Sequence, residues 1–180
     1  HRMKTIPVPA YAQVSPANQA LFDSLKKGLG MVPNLYATFA HSEHALGNYL
    51  ALQSGKSSLS AKARELINLV VSQVNACEYC LAAHTAIGKM TGYTDAQILE
   101  IRRGRASFDA RLDALARLVR NIASERGHAD PALVQAFFGA GWTEGNLVDA
   151  IVVIGDKTVT NYLHGTTQVP VDFPPAPPLR

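Results

Sequence analysis

The chain has almost no cysteine: two residues in 180, standing three positions apart at Cys77 and Cys80. So small a set excludes the multi-disulfide framework of a small secreted domain. In a reducing compartment such a pair is redox-active or metal-binding. Long apolar runs are missing too. The longest strongly apolar stretch, Ala150 to Ile154, is far too short to cross a bilayer. Neither sign of charge dominates, since 17 Lys and Arg against 14 Asp and Glu leave a net charge of +3. No run of basic residues interleaved with aromatics occurs, so nucleic-acid binding has no specific support. The opening His1-Arg2-Met3 reads as a tag remnant ahead of a native Met3, not as a targeting signal. The expectation is a cytoplasmic protein with no membrane partner.

What is present is helical. At 47% apolar and 17% charged residues the composition is that of a globular protein, and 180 residues make one domain or a duplicated small one. The apolar residues recur at the helical period, and no alternating strand pattern is found. The expected fold class is all-α, with about eight helices. They run over Ser15–Gly28, Pro33–Gln53, Ser60–Val74, Cys77–Met90, Thr94–Arg103, Asp109–Arg126, Asp130–Gly139 and Thr143–Leu163. Residues 1–168 form the helical domain in this reading. Residues 169–180 hold five of the ten prolines and cannot be helix. They form an extended arm, lying on their own subunit or on a neighbour, or else a disordered tail. A faint internal echo lays Ser60–Tyr79 over Thr143–Tyr162, as a degenerate duplication or as chance similarity between two apolar helices.

The informative stretch is Glu65-x11-Cys77-Glu78-Tyr79-Cys80-x3-His84. Cys77, Cys80 and His84 are spaced i, i+3 and i+7 and share one helix face. Cys77 falls in the first turn, where free N–H groups and the helix dipole favour a thiolate. His84 lies one turn beyond Cys80 and can exchange a proton with it. On the preceding helix Leu66, Ile67, Leu69, Val70, Val71 and Val74 leave only Glu65, Asn68 and Ser72 as a narrow polar seam facing protein or trapped water. If the two helices fold back at Asn75-Ala76, Glu65 stands about 16 Å from the turn and His84 about 12 Å. A carboxylate, an imidazole and a thiol then line up as a proton relay. A carboxylate in such a seam is expected to have a raised pKa.

This spacing, with Tyr79 before the second cysteine, resembles the alkylhydroperoxidase D group of the carboxymuconolactone decarboxylase superfamily, most clearly from Pro33 to Gly92. The resemblance implies an alkylhydroperoxidase-type fold and a thiol-dependent, peroxiredoxin-like peroxidase. Cys80 would attack a hydroperoxide, Cys77 would resolve the sulfenic acid to a disulfide, and Glu65 and His84 would relay protons. It further implies a thiol or dithiol reductant of unknown identity and a homo-oligomer, trimer or hexamer, with no cofactor. Glu78 and Tyr79 stand between the cysteines, where the characterised peroxidase has a histidine in that interval. This departure bears on the reductant and the rate.

Plainer readings compete. Cys77 and Cys80 as packed thiols are disfavoured, because a CxxC pair that opens a helix is seldom inert. Zinc would need a fourth ligand beyond Cys77, Cys80 and His84, and no second CxxC or HxxxH supplies one. His84 alone would read as structural, and its offset from Cys80 reverses that. Tyr79 reads as a pocket wall, and His41 and His44 as surface residues. Trp142, Phe137 and Phe138 fill core or an oligomer contact. Asp149 and Asp156 form a solvated stripe. Two other functions remain: a carboxymuconolactone decarboxylase-like enzyme, whose members generally lack the cysteine pair, and a non-enzymatic dithiol redox sensor.

Overall fold

The computed structural model describes residues 6–180, so the tag-like His1-Arg2-Met3 lies outside the described residues. Among the described residues nine α-helices form and no strand does: α1 Pro16–Leu29, α2 Asn34–Phe39, α3 Ala45–Ser54, α4 Ala61–Val74, α5 Glu78–Met90, α6 Asp95–Arg102, α7 Ala110–Ser124, α8 Pro131–Gly139 and α9 Glu144–Thr167. Most start where a short polar side chain meets an orphan N–H. Ser15, Ser60, Thr94, Asp109, Asp130 and Thr143 each accept a hydrogen bond from the first turn of the helix they open.

Helices α2 and α3 were expected as one, Pro33–Gln53, and here the structure corrects the sequence. The chain breaks at residues 40–44, where tight bonds run from Ala40 N to Ala37 O and from Ser42 N to Phe39 O. The carbonyls released there are taken by a distant residue. Asn18 of α1 is buried and donates to Ala40 O at 3.4 Å and to Ser42 O at 3.0 Å. A partner 22 residues away satisfies the break, and no local propensity encodes it.

Helix α4 is the axis of the molecule. Ala63, Leu66, Ile67, Leu69, Val70 and Val71 are fully buried around its circumference, and α5, α6, α7 and α9 pack on it. A helix apolar on all sides belongs in a core. The chain then reverses at Asn75-Ala76, with Ala76 at φ 51° in the left-handed region and Cys77 N donating to Ser72 O at 2.9 Å. That turn lays α5 back along α4 as the residue heights require.

The proline-rich arm lies on its own chain. Asn34 Nδ2 donates to Pro170 O at 3.1 Å, Arg102 Nη1 to Pro177 O at 2.6 Å, and Arg103 Nη2 to Arg180 O at 2.9 Å. Val169 at its root is buried against Leu35, Cys77, Tyr79 and Cys80. The disordered-tail reading is thereby set aside. Helix α9 also runs four residues past the expected Leu163, ending on Gln168 in the left-handed conformation.

Candidate active site

The fold brings Glu65, Cys77, Cys80 and His84 together. Glu65 projects from α4, Cys80 and His84 from α5, and Cys77 stands just ahead of α5 as its cap. The two sulfurs are buried, at 3% and 2% exposure. The Cys77 sulfur accepts from the Cys80 N–H at 3.3 Å, and the Cys77 thiol donates to Cys80 Sγ at 2.7 Å. His84 Nδ1 is hydrogen-bonded to Glu65 Oε1, and Asn68 Nδ2 donates to Glu65 Oε2 at 3.1 Å.

The electrostatics divide the cysteines and correct two expectations. Cys77 is the cap and not a first-turn residue, and its surroundings oppose the thiolate that the helix dipole was expected to favour there. Its hydrogen bond to Cys80, and then its burial, push the Cys77 thiol well above its ordinary range. Cys80 moves the other way, down to about 5. The hydrogen bond from Cys77 is the main cause, followed by the charges of Lys157 and His84 and by Asn161, all working against burial. Glu65, expected to be raised, is instead held below the ordinary carboxylate range. Burial does push it up, but His84, Lys157 and Asn68 together outweigh the burial. An ionised Glu65 accepts from His84 Nδ1–H, which leaves Nε2 as the ring's proton acceptor. Glu65 is thereby placed to orient the His84 ring.

Sequence reasoning placed α9 but missed its contribution to the site. From Asp156 onward its buried residues are Asp156, Lys157, Thr160, Asn161, His164 and Thr167, all polar. Thr160 Oγ1 lies 3.8 Å from Cys80 Sγ. Asn161 donates to Ser72 Oγ at 3.2 Å and accepts from Asn75 Nδ2 at 3.0 Å, pinning α9 to the α4–α5 turn. Asp156 was expected in a solvated stripe with Asp149. It is buried and accepts a hydrogen bond from Tyr49, while Asp149 is half-buried and caps Ser58 N and Oγ at 2.8 and 2.6 Å. The signal was legible as polar residues at i, i+1, i+4, i+5, i+8 and i+11. It was masked by the apolar run just before it.

Tyr79, expected as a pocket wall, ties the dithiol to the arm. Its hydroxyl donates to Asp172 and accepts from Leu35 N at 3.3 Å, and its ring centroid is 5.7 Å from that of Phe173. Phe137 stacks on Trp142 in the core, while His41 and His44 are exposed. A cleft of about 590 Å³ beside Val8, Phe22 and Met31 and another of about 290 Å³ beside Arg105, Arg117 and Arg120 both lie apart from the sulfurs.

Residues 39–121, which contain all four site residues, match the model of the Carboxymuconolactone decarboxylase family. That match covers just under half of the chain, and over those residues the chain is similar to the family. Solved structures extend the likeness over nearly the whole length. The alkylhydroperoxidase AhpD core of an uncharacterized peroxidase-related protein from Ralstonia eutropha JMP134 is 20% identical, with 96% of this chain and 94% of that one covered at a TM-score of 0.84. An uncharacterized peroxidase-related protein from Silicibacter sp. TM1040 is 24% identical, with 97% and 93% covered at 0.80. The debrominase Bmp8 is 14% identical, with 87% of each chain covered at 0.73. At these identities the likeness shows the fold, which is that of the AhpD core. No curated protein matches this chain. No described helix is long and apolar enough to cross a membrane.

Proposed function

We propose that this protein is a thiol-dependent peroxidase working through a Cys77/Cys80 dithiol–disulfide cycle. One observation carries the reading: the Cys80 sulfur is buried beside His84 while receiving a hydrogen bond from the Cys77 thiol. A sulfur in that setting is a thiolate near neutrality with its resolving partner already in contact.

The proton that Cys80 gives up on becoming a thiolate is held at His84 Nε2. The thiolate attacks the terminal oxygen of a hydroperoxide, so an S–O bond forms and the O–O bond breaks. The alkoxide leaves with the proton held by His84 and becomes an alcohol. Cys77 then attacks the Cys80 sulfenic acid, an S–S bond forms, the S–O bond breaks, and hydroxide leaves with the Cys77 proton as water. An external thiol or dithiol returns two electrons and two protons. Glu65 keeps His84 in the tautomer that leaves Nε2 free. In this reading the working particle is a homo-oligomer, trimer or hexamer.

The test is mass spectrometry after brief exposure to a hydroperoxide, with an added dithiol supplied for turnover. Cys77→Ser should accumulate a trappable sulfenic acid on Cys80, whereas Cys80→Ser should react slowly. A sulfenic acid on Cys77, formed at the wild-type rate in Cys80→Ser, reverses the roles. Oxidation without turnover on any thiol reductant favours the redox-sensor reading.

A further inference from the structure

One member of the polar face of α9 has no part in the steps above. Lys157 is 3% exposed, and an ammonium so buried is rare unless an opposite charge answers it. Among the described residues no carboxylate oxygen lies within 4.0 Å of its nitrogen, so no ordinary ion pair accounts for its burial.

Helix phase says what it faces. Thr160, three residues on, lies 3.8 Å from Cys80 Sγ, and Asn161, four residues on, bonds Ser72 and Asn75 at the turn that carries Cys77. Residues at i, i+3 and i+4 share a face. Lys157 is therefore one turn from Thr160 on the same buried stripe, where α9 packs against α2, α3, α4, α5 and α7. The ionisable groups gathered there are Tyr36 from α2, Tyr49 from α3, Glu65 from α4, Cys80 and His84 from α5, and Asp156 beside it. Helix α7 contributes only apolar buried residues: Leu115, Ala116, Leu118, Val119 and Ile122.

Charge balance then assigns the role. Glu65 and Asp156 bring two carboxylates into the closed seam, and a Cys80 thiolate adds a third anion. His84 is already engaged with Glu65, and Tyr36 and Tyr49 carry no positive charge. Lys157 is the one cation of the gathering whose charge does not depend on a histidine's protonation. We propose that Lys157 is a positioning residue of the dithiol site, its ammonium being the standing counter-charge that holds Cys80 as a thiolate beside Glu65. The lowering of both Cys80 and Glu65 by Lys157 agrees with this placement. The proposal rests on the reading of Cys80 as the attacking sulfur, and it accounts for why α9 buries a cation at all.

The test reads the thiolate directly and needs neither hydroperoxide nor reductant. Alkylation of the full-length reduced protein by iodoacetamide is followed against pH, with tandem mass spectrometry assigning the label to Cys77 or Cys80. In Lys157→Met the Cys80 profile should move up by at least one pH unit, about a ten-fold loss of thiolate below the midpoint. Lys157→Arg, which keeps the charge, should restore most of the wild-type profile. Lys157→Gln is the second neutral variant should the methionine variant fail to fold. An unshifted Cys80 profile in either folded neutral variant overturns the proposal. So does failure of both neutral variants to fold, which would make Lys157 structural. The outcomes separate the two readings. A Lys157-dependent profile without hydroperoxide turnover sinks the peroxidase and spares this inference, whereas turnover with an unshifted profile does the reverse.

Discussion

A buried thiolate is a statement about folding as well as about chemistry. Cys80 titrates near 5 in the folded chain against an ordinary thiol value of 9.0. A group whose folded value is depressed contributes stability that is fully present above its unfolded value and is lost as pH falls toward the folded one. The window is therefore pH 9 down to 5, and stability should rise with pH across it. Urea unfolding of the reduced protein at intervals through that window checks this, with Cys80→Ser as the control. The slope should flatten in the variant, and equal slopes would show that Cys80 is an ordinary thiol. Glu65 contributes in the same way at lower pH. Its depressed carboxyl favours the fold above its unfolded value of 4.5 and ceases to do so in acid. Glu65→Gln keeps the shape but removes the charge that fixes the His84 tautomer. Hydroperoxide turnover should then drop about 10²-fold, the lower end of what a positioned acid–base group contributes, while circular dichroism remains helical. Wild-type turnover in that variant would remove Glu65 from the mechanism.

Among the elements, legibility followed locality. Ser60, Thr94, Asp109, Asp130 and Thr143 announced their helices because a cap and its N–H lie within three residues. The i, i+3, i+7 run of Cys77, Cys80 and His84, with Glu65 one hairpin away, was readable for the same reason. The break between α2 and α3 was not, since Asn18 makes it from another helix. Nor was the lowered Glu65, because its cause includes Lys157, 92 positions along the chain. The arm was readable as extended, but its seat depends on Asp172 meeting both Tyr79 and Asn34 N, the latter at 2.9 Å. Asp172→Ala should therefore loosen the arm and speed alkylation of the sulfurs beneath it, with the helix content unchanged. Alkylation no faster than wild type would mean that the arm does not gate the site. Gly104 shows the same dependence on distant packing. It sits at φ 79°, and a Cβ added there would stand 2.4 Å from Arg120 Cδ and 3.1 Å from Arg120 Cβ. Gly104→Ala should cost about 1–3 kcal/mol, the scale of left-handed strain plus a displaced side chain. Thermal denaturation reads that cost, and an unchanged midpoint would show that Arg120 moves freely.

At the scale of the whole molecule α9 is inverted. Its inner face from Asp156 onward is polar and builds the dithiol site, whereas its outer face carries Val148, Ile151, Val152, Val159 and Tyr162 in the open. These positions fall at i, i+3, i+4, i+11 and i+14, one continuous stripe of the helix surface. Val148 is 62% and Tyr162 64% exposed, so the row is uncovered from end to end. Scattered apolar residues on a surface need no explanation, but a row running most of a 24-residue helix does. The Phe137–Trp142 pair, a candidate contact from the sequence, is spent inside the core and cannot serve. The row on α9 is therefore the surface on which we expect a second copy of this chain to pack. Closed symmetric assembly buries such a stripe against itself or its equivalent. Light scattering should report a particle larger than 19.3 kDa at micromolar concentration. The double substitution Ile151→Glu with Val152→Glu should reduce it toward that mass without loss of helix, because neither residue supports the core. A wild-type monomer, or a double variant that keeps the wild-type mass, would place assembly elsewhere or nowhere. If the size does fall, the thiol pH profile should be measured on the same sample. Lys157 and Thr160 lie on the opposite side of that helix, so a profile that shifts with dissociation would mean that assembly holds α9 against the dithiol.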